Sequence, residues 1–211
     1  MQSSEPIITA AKLDWLAARA PAFADIRDQY GDPPNWSRPP GFVTLLRIIL
    51  EQQVSLESAY ATYQKLLERL GQITPTATLT LDDAEMRACY VSRQKARYLR
   101  ILAQAILDNE LDLAALASLP EPEVRARLTS LTGIGQWTAD VYLLFCLQAP
   151  DILPLGDIAV VRSLKELFAV EKEDMLALAE AWRPYRSTVT YCCWHYYIQK
   201  RQRQVAHIMD N

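Results

Sequence analysis

The run Leu131-Thr-Gly-Ile-Gly-Gln-Trp-Thr-Ala-Asp140 sets two glycines just ahead of a helix-forming stretch, and Leu153-Pro-Leu-Gly-Asp157 brings a carboxylate twenty residues after Trp137. Glycines at such a turn serve two ends: one position can take a positive φ, and a missing side chain lets another surface approach the backbone. The first N–H groups of the following helix lack intrahelical partners and, with the helix dipole, suit an anion such as a phosphate. A carboxylate nearby can stabilise developing positive charge or activate water. Plainer readings stay open at this point. Gly-x-Gly also serves as an ordinary interhelical turn, and aspartate after Pro-Leu-Gly is a common helix N-cap. A dinucleotide-binding turn is disfavoured, because no strand precedes Gly133 and Thr138 stands where a third glycine or alanine belongs.

The elements that must position these residues read as helices. With 211 residues, half of them hydrophobic and only 6 glycines, the chain can bury a sizeable core, and no stretch alternates strictly over a strand length. The expected class is all-α. Residues 1–30 read as an amphipathic opening segment with Ile8, Leu13 and Leu16 on one helical period. Four prolines between Gly31 and Gly41 then impose a loop. Leu45, Leu46, Ile49 and Val54 recur at helical spacing, and Ser55 can cap a second helix to about Leu70, where Gly71 stops it. Thr74-Pro-Thr-Ala-Thr78 reads as a turn-rich connector. Helices are expected over 81–87, 92–107, about 121–128, 136–148, 157–169, 172–182 and 186–202. The expected division is a hairpin-containing lobe, residues 42–157, and a second lobe from residues 1–41 with 158–211, with a cleft between them.

The net charge of −3 counts against a nucleic-acid partner, since lysine and arginine supply most non-specific DNA affinity. Distribution matters more than the sum. Arg93, Lys95, Arg97 and Arg100 form one basic cluster, and Lys200, Arg201 and Arg203 another; solvated helix faces are the plainer account of both. The four cysteines have no paired spacing and no apolar leader opens the chain, so a reducing, cytoplasmic setting is expected. No apolar run reaches the roughly 20 residues that span a bilayer.

The hairpin motif with Leu153-Pro-Leu-Gly-Asp157 resembles the signature of the helix-hairpin-helix superfamily of base-excision DNA glycosylases, most closely its 3-methyladenine DNA glycosylase II branch. Phe42 to Ser55, ending Glu51-Gln-Gln-Val-Ser55, resembles that branch's helix and DNA-penetrating turn. Ser92-Arg-Gln-Lys-Ala-Arg97 and the stretch from Trp182 to Trp194 also match, so the resemblance runs over about residues 35–200. It implies a monomeric enzyme of double-stranded DNA that flips damaged bases out of the duplex and hydrolyses the N-glycosidic bond of alkylated purines such as 3-methyladenine and 7-methylguanine. Two alternatives stand beside this: a glycosylase for deaminated or etheno-adducted bases, and a non-catalytic DNA-binding or damage-sensing protein.

The resemblance assigns Asp157 as the catalytic carboxylate. In relatives that also cleave the strand, a lysine two residues after the second hairpin glycine forms a Schiff base. That position is Trp137 here, so no lyase activity is expected. Trp137 and Trp194 match pocket aromatics, whose electron-rich faces attract cationic alkylpurines. Val141 stands where the branch's bacterial type has a tyrosine, with Tyr142 adjacent, so the pocket is expected to be wider or built on another ring. Core packing is the plainer role for Trp182, Tyr191, Trp194, Tyr196 and Tyr197.

The resemblance also assigns DNA contacts. Gln53 takes the wedge position, where an apolar leucine is found in the best-known bacterial relative; a glutamine there departs from pure hydrophobic wedging and can instead hydrogen-bond to the orphaned partner base. Ser55, Thr132, Gly133, Ile134, Gly135 and Thr138 are the other expected DNA contacts. The carbonyls of Thr129, Leu131 and Ile134 resemble a monovalent cation site for Na+ or K+. No cofactor is expected to be required. Cys192 and Cys193 cannot supply the four closely spaced cysteines of an iron-sulfur cluster, and a zinc site on Cys192 and His195 lacks further ligands. The branch's N-terminal β domain is expected to be absent, since only some 35 residues precede the match.

Overall fold

The computed structural model describes residues 5–203, whose regular structure is all helical, with no strand among them. Residues 38–142 form one compact unit, and residues 5–37 with 143–203 form the other. The chain passes between units at Ser37–Arg38 and again at Tyr142–Leu143. The second boundary lies earlier than the sequence division at Asp157. The reason is local: Ile152 N donates to Ser187 Oγ (2.9 Å), Thr190 Oγ1 donates to Ile152 O (2.8 Å), and Arg186 Nε pairs with Asp151 Oδ1 (2.8 Å). Residues 149–152 are thereby bound to the C-terminal helix.

The unit of residues 38–142 is built on α3, Phe42–Glu51, whose Leu45, Leu46, Ile48, Ile49 and Leu50 are all buried. Around it pack α4, Leu56–Leu70, and α7, Arg93–Leu107, the latter also covered by α5, Pro75–Thr80. Side-chain caps start these helices where the sequence places them: Ser55 Oγ accepts from Ser58 N (3.2 Å) and Ser92 Oγ from Lys95 N (3.3 Å). A capping box of Asp82 and Glu85 opens α6, Asp83–Ala88. Helix α5 corrects the connector expected at 74–78. Thr74 Oγ1 accepts from Ala77 N (3.1 Å), Pro75 sits at the first turn, and Thr78 is buried, so a polar stretch with weak helix propensity is held helical by its cap and its packing on α7. Helices α8, Glu121–Thr129, and α9, Gln136–Phe145, complete the unit and flank the hairpin.

The other unit surrounds α12, Arg186–Lys200, in which Ser187 through Tyr197 are all buried. It packs against α1, Ala10–Ala17, α2, Pro21–Tyr30, and α10, Ile158–Phe168. Thr188 Oγ1 donates to Ile7 O (2.9 Å), and Tyr191 Oη donates to Trp36 O, fastening the N-terminal segment to α12. The opening amphipathic stretch is two helices because the chain turns at Ala18–Ala20 before Pro21 restarts it. Helix α9 ends at Phe145, three residues short of the expected Gln148. Gln148 is left-handed (φ 50°), and its side-chain amide donates to Leu144 O (2.8 Å), closing the helix end. The stretch 172–182 is also broken: a five-residue α11, Met175–Ala179, lies between two 3-10 turns. Among the described residues no helix is long and apolar enough to cross a membrane.

Candidate nucleic-acid interface and carboxylate

The hairpin lies between Thr129, the last residue of α8, and Gln136, the first of α9. Gly133 has φ +101°, and a Cβ built on it would lie 2.3 Å from Cγ of Tyr98. Glycine is therefore required twice there, by backbone and by close packing against α7. Ile134 is buried and its N–H donates to Leu131 O (3.1 Å), so it anchors the turn rather than offering an amide. The N–H groups of Gly133, Gly135 and Gln136 donate to no protein group among the described residues. Gly135 is exposed, with nothing within 4 Å of an added Cβ, and Thr132 is exposed beside it. An ion pair between Arg125 and Asp140, joined by Gln136 Nε2 on Asp140 Oδ1 (3.2 Å), ties α8 to α9.

Thr138 departs from its expected role. It is 1 % exposed, and its Oγ1 accepts from Gln52 Nε2 at 2.9 Å, so it faces the interior of its unit rather than solvent. Gln52 also donates to Gly133 O (2.9 Å), a contact between residues 81 apart that no local pattern announces. The next residue, Gln53, is exposed and left-handed at φ 58°, followed by exposed Val54 and by Ser55, whose hydroxyl caps α4. A non-glycine residue in that region costs about 1–3 kcal/mol, so the turn is held by its surroundings. Lys95 contributes, donating from Nζ to Leu50 O at 2.6 Å, and burial pushes its amine below the usual lysine range. Gln52, Lys95 and Tyr98 are the positioning residues that sequence reasoning passed over. For Lys95 the sequence signals are its place in the basic cluster and in the matching Ser92–Arg97 segment, and for Tyr98 only its place just after that segment.

The pocket residues are distributed differently. Trp137 is half-buried on α9. Val141 and Tyr142, at 2 % and 0 % exposure, are core residues and present no accessible surface, contrary to the pocket role expected of them. Trp194, 8 % exposed, stacks within a cluster of Trp36, Phe145 and Tyr191 at ring separations of 5.4–6.3 Å, with Phe145 and Tyr191 nearest to it. Its neighbours Cys192 and Cys193 are fully buried; burial pushes the Cys192 thiol up to about 12 and raises that of Cys193 as well. His195 Nε2 lies 3.2 Å from Tyr30 O, and burial holds its ring below the ordinary imidazole range.

Asp157 is the N-cap of α10. Its Oδ1 accepts from Ala159 N (2.9 Å) and Val160 N (3.0 Å), and its own N–H donates to Pro154 O (2.9 Å). The plainer reading of this aspartate therefore holds in full, and it does not displace the catalytic one, because the cap fixes the carboxylate's direction while leaving the residue half-exposed. The carbonyl donors assigned to a cation are compatible with one. Thr129 ends a helix, Leu131 O retains a lone pair beyond its bond from Ile134 N, and Ile134 O receives no backbone hydrogen bond among the described residues.

The basic clusters are sorted by their partners. Arg100 pairs with Asp83 (2.7 Å) and donates to Leu81 O (2.9 Å). Lys200 and Arg201 both pair with Glu166 at 2.8 Å, Lys200 foremost, holding that carboxyl down to about 2. Arg93 and Arg97 remain exposed with no ion pair among the described residues.

Residues 46–186 match the HhH-GPD superfamily of base excision DNA repair proteins, and the chain belongs to that family. It is 28 % identical over 158 residues to DNA-3-methyladenine glycosylase 1 of Schizosaccharomyces pombe, covering 71 % of this chain and 69 % of that protein. To the Bacillus subtilis protein YfjP it is 27 % identical over 162 residues, covering 71 % of this chain and 56 % of that one. The chain thus spans little more than half of one relative and about two-thirds of the other. In fold it is similar to the solved Schizosaccharomyces pombe 3-methyladenine DNA glycosylase in complex with abasic DNA, with a TM-score of 0.81, 24 % identity, and coverage of 91 % of this chain and 97 % of that one.

Proposed function

We propose that the chain is a monofunctional DNA glycosylase that releases alkylated purines by hydrolysis. The observation that carries this reading is the hairpin, where three N–H groups without acceptors among the described residues meet at the start of a helix beside an uncrowded glycine. A phosphodiester oxygen satisfies such amides without any need for positive net charge. A cation on the carbonyls of Thr129, Leu131 and Ile134 would add positive charge there.

Asp157 supplies the chemistry. As the C1′–N bond breaks, its electron pair leaves with the base, and positive charge grows on the sugar, where a carboxylate stabilises it. Water oxygen bonds to C1′ and gives a proton to the Asp157 carboxylate. A purine alkylated at N3 or N7 is already cationic, so it departs neutral without an added acid. The half-buried ring of Trp137 favours such a cationic base. Trp137 also occupies the position of the lyase lysine, which removes the amine needed for a Schiff base. Gln53, exposed on its turn, fills the gap left by the flipped nucleotide.

The test is base release from methylated duplex, with 3-methyladenine and 7-methylguanine separated and borohydride present in a parallel reaction. Free methylpurine and an intact strand bearing an abasic site are expected, with no trapped covalent adduct. A trapped adduct overturns the monofunctional reading. Release confined to deaminated or etheno bases overturns the alkylpurine assignment, and no release from any substrate leaves a damage-binding protein.

Arg93 and Arg97 extend the phosphate contacts along α7, whose Tyr98 packs on the hairpin. Each phosphate contact adds about one unit to the slope of log affinity against log salt. Arg93→Ala and Arg97→Ala are each expected to flatten that slope by about one unit, while Arg201→Ala, already paired with Glu166, leaves it unchanged. Equal slopes for all three proteins would remove the two arginines from the interface.

A further inference from the structure

We propose that Gln52 is a positioning residue that clamps the base-displacing turn to the phosphate-holding hairpin; this rests on the DNA-excision reading above. The two neighbouring glutamines face opposite ways. Gln53 is exposed and left-handed, whereas Gln52 is half-buried and turns inward. Its side-chain Nε2 reaches Gly133 O and Thr138 Oγ1, both at 2.9 Å. A carbonyl oxygen only accepts, so the amide nitrogen, and not its oxygen, must face Gly133.

One hydrogen then goes to the hairpin's strained glycine and the other to a buried hydroxyl in the first turn of α9. The amide thereby joins three features: the backbone just before the left-handed Gln53, the peptide whose neighbouring N–H groups lie open, and the first turn of the helix they open. Lys95 secures the same junction from the other side by holding Leu50 O. Inserting a side chain into a duplex pushes back on the turn that carries it. Here that force is passed to the element that grips the backbone, so the turn does not yield. Without the clamp the hairpin still holds phosphate, but the turn gives way when the base resists displacement.

This predicts a dependence on base pairing. Displacing a nucleotide costs a few kcal/mol when it is paired and stacked, and little when it is unpaired. Two neutral hydrogen bonds are together worth roughly tenfold in an equilibrium. Gln52→Leu, of similar size but without a donor, is expected to lower single-turnover release of 7-methylguanine about tenfold in a paired duplex. The same lesion in a one-nucleotide bulge should lose less than about threefold, because the displacement cost is small there. Thr138→Val keeps the packing and removes one of the two acceptors, so it should give a smaller loss with the same pairing dependence. It also serves if Gln52→Leu fails to fold.

A 2-aminopurine placed as the target base supplies a readout that needs no bond cleavage, since its fluorescence rises on unstacking. The rise should be smaller with either variant at saturating protein. Equal losses in paired and bulged substrates, or a fluorescence rise that the variants leave unchanged or that wild type lacks, overturns the clamp. Failure of the wild type to release any base while the fluorescence difference persists overturns the glycosylase reading and leaves the clamp standing.

Discussion

Replacing Asp157 by asparagine is expected to lower base release about 10³-fold, within the range lost when a general base or a charge-stabilising group is removed from an active site. The substitution separates two roles that coincide in one side chain. As an N-cap, Asp157 accepts from Ala159 N and Val160 N through Oδ1, and an asparagine carbonyl accepts from the same two amides. Stability should therefore change by only a few tenths of a kcal/mol, since asparagine and aspartate cap comparably. On the proposed mechanism, the negative charge that stabilises the developing oxocarbenium ion is lost. Affinity for a duplex containing an abasic analogue should stay near the wild-type value, because the proposed phosphate contacts lie on the hairpin and on α7 and do not involve Asp157. Asp157→Ala removes cap and charge together and should cost about 1 kcal/mol of stability in addition. Single-turnover release of methylpurine, measured beside thermal unfolding of each variant, distinguishes these outcomes. Release by the asparagine variant within tenfold of wild type would reduce Asp157 to a helix cap.

The second large effect falls on stability. Gly133→Ala should destabilise the protein by about 3 kcal/mol, combining a disfavoured positive φ with an overpacked contact. The contact is severe because the added Cβ would sit 2.3 Å from Cγ, 2.6 Å from Cδ1 and 2.7 Å from Cβ of Tyr98. Atoms at the base of a ring cannot move aside as the tip of a flexible side chain can, so the hairpin and α7 must separate. Gly135→Ala is the contrasting case. Nothing lies within 4 Å of its added Cβ and its φ is not left-handed, so its stability cost should stay below about 1 kcal/mol. It should nonetheless weaken DNA binding, because the new methyl stands among the open amides. Urea unfolding midpoints and duplex affinities of the two variants give opposite orders of severity, stability loss at 133 and binding loss at 135. Equal midpoints would show that the Tyr98 contact relaxes at no cost.

Asp157, Gly133 and Gly135 could be picked out from the sequence because their signals are local. A glycine pair, a proline-led turn and an aspartate at a helix start occupy a few consecutive positions, and capping acts over two or three residues. The helix spans of α3, α4 and α7 follow from periodicity and from caps such as Ser55 and Ser92. The connector at 74–78 was misread for the converse reason. Its threonines and proline favour a turn by propensity, and packing on α7 overrides that preference. Tyr142, Val141 and Thr138 illustrate a second limit. Their place in the motif marks them, but which side of α9 is covered depends on neighbours elsewhere in the chain.

By itself the sequence determined an all-helical chain, the hairpin with its glycines, the carboxylate at Asp157 and the absence of a lysine at Trp137, since each is written in residue types at short spacing. Only the tertiary structure decided that Thr138 turns inward, that Arg93 and Arg97 have no ion pair among the described residues while Arg100, Lys200 and Arg201 do, and that Gln52 reaches Gly133. Those outcomes depend on which helices return to pack together. The chain closes 81 residues between Gln52 and Gly133 through a shared core, and no run of neighbouring residues carries that distance.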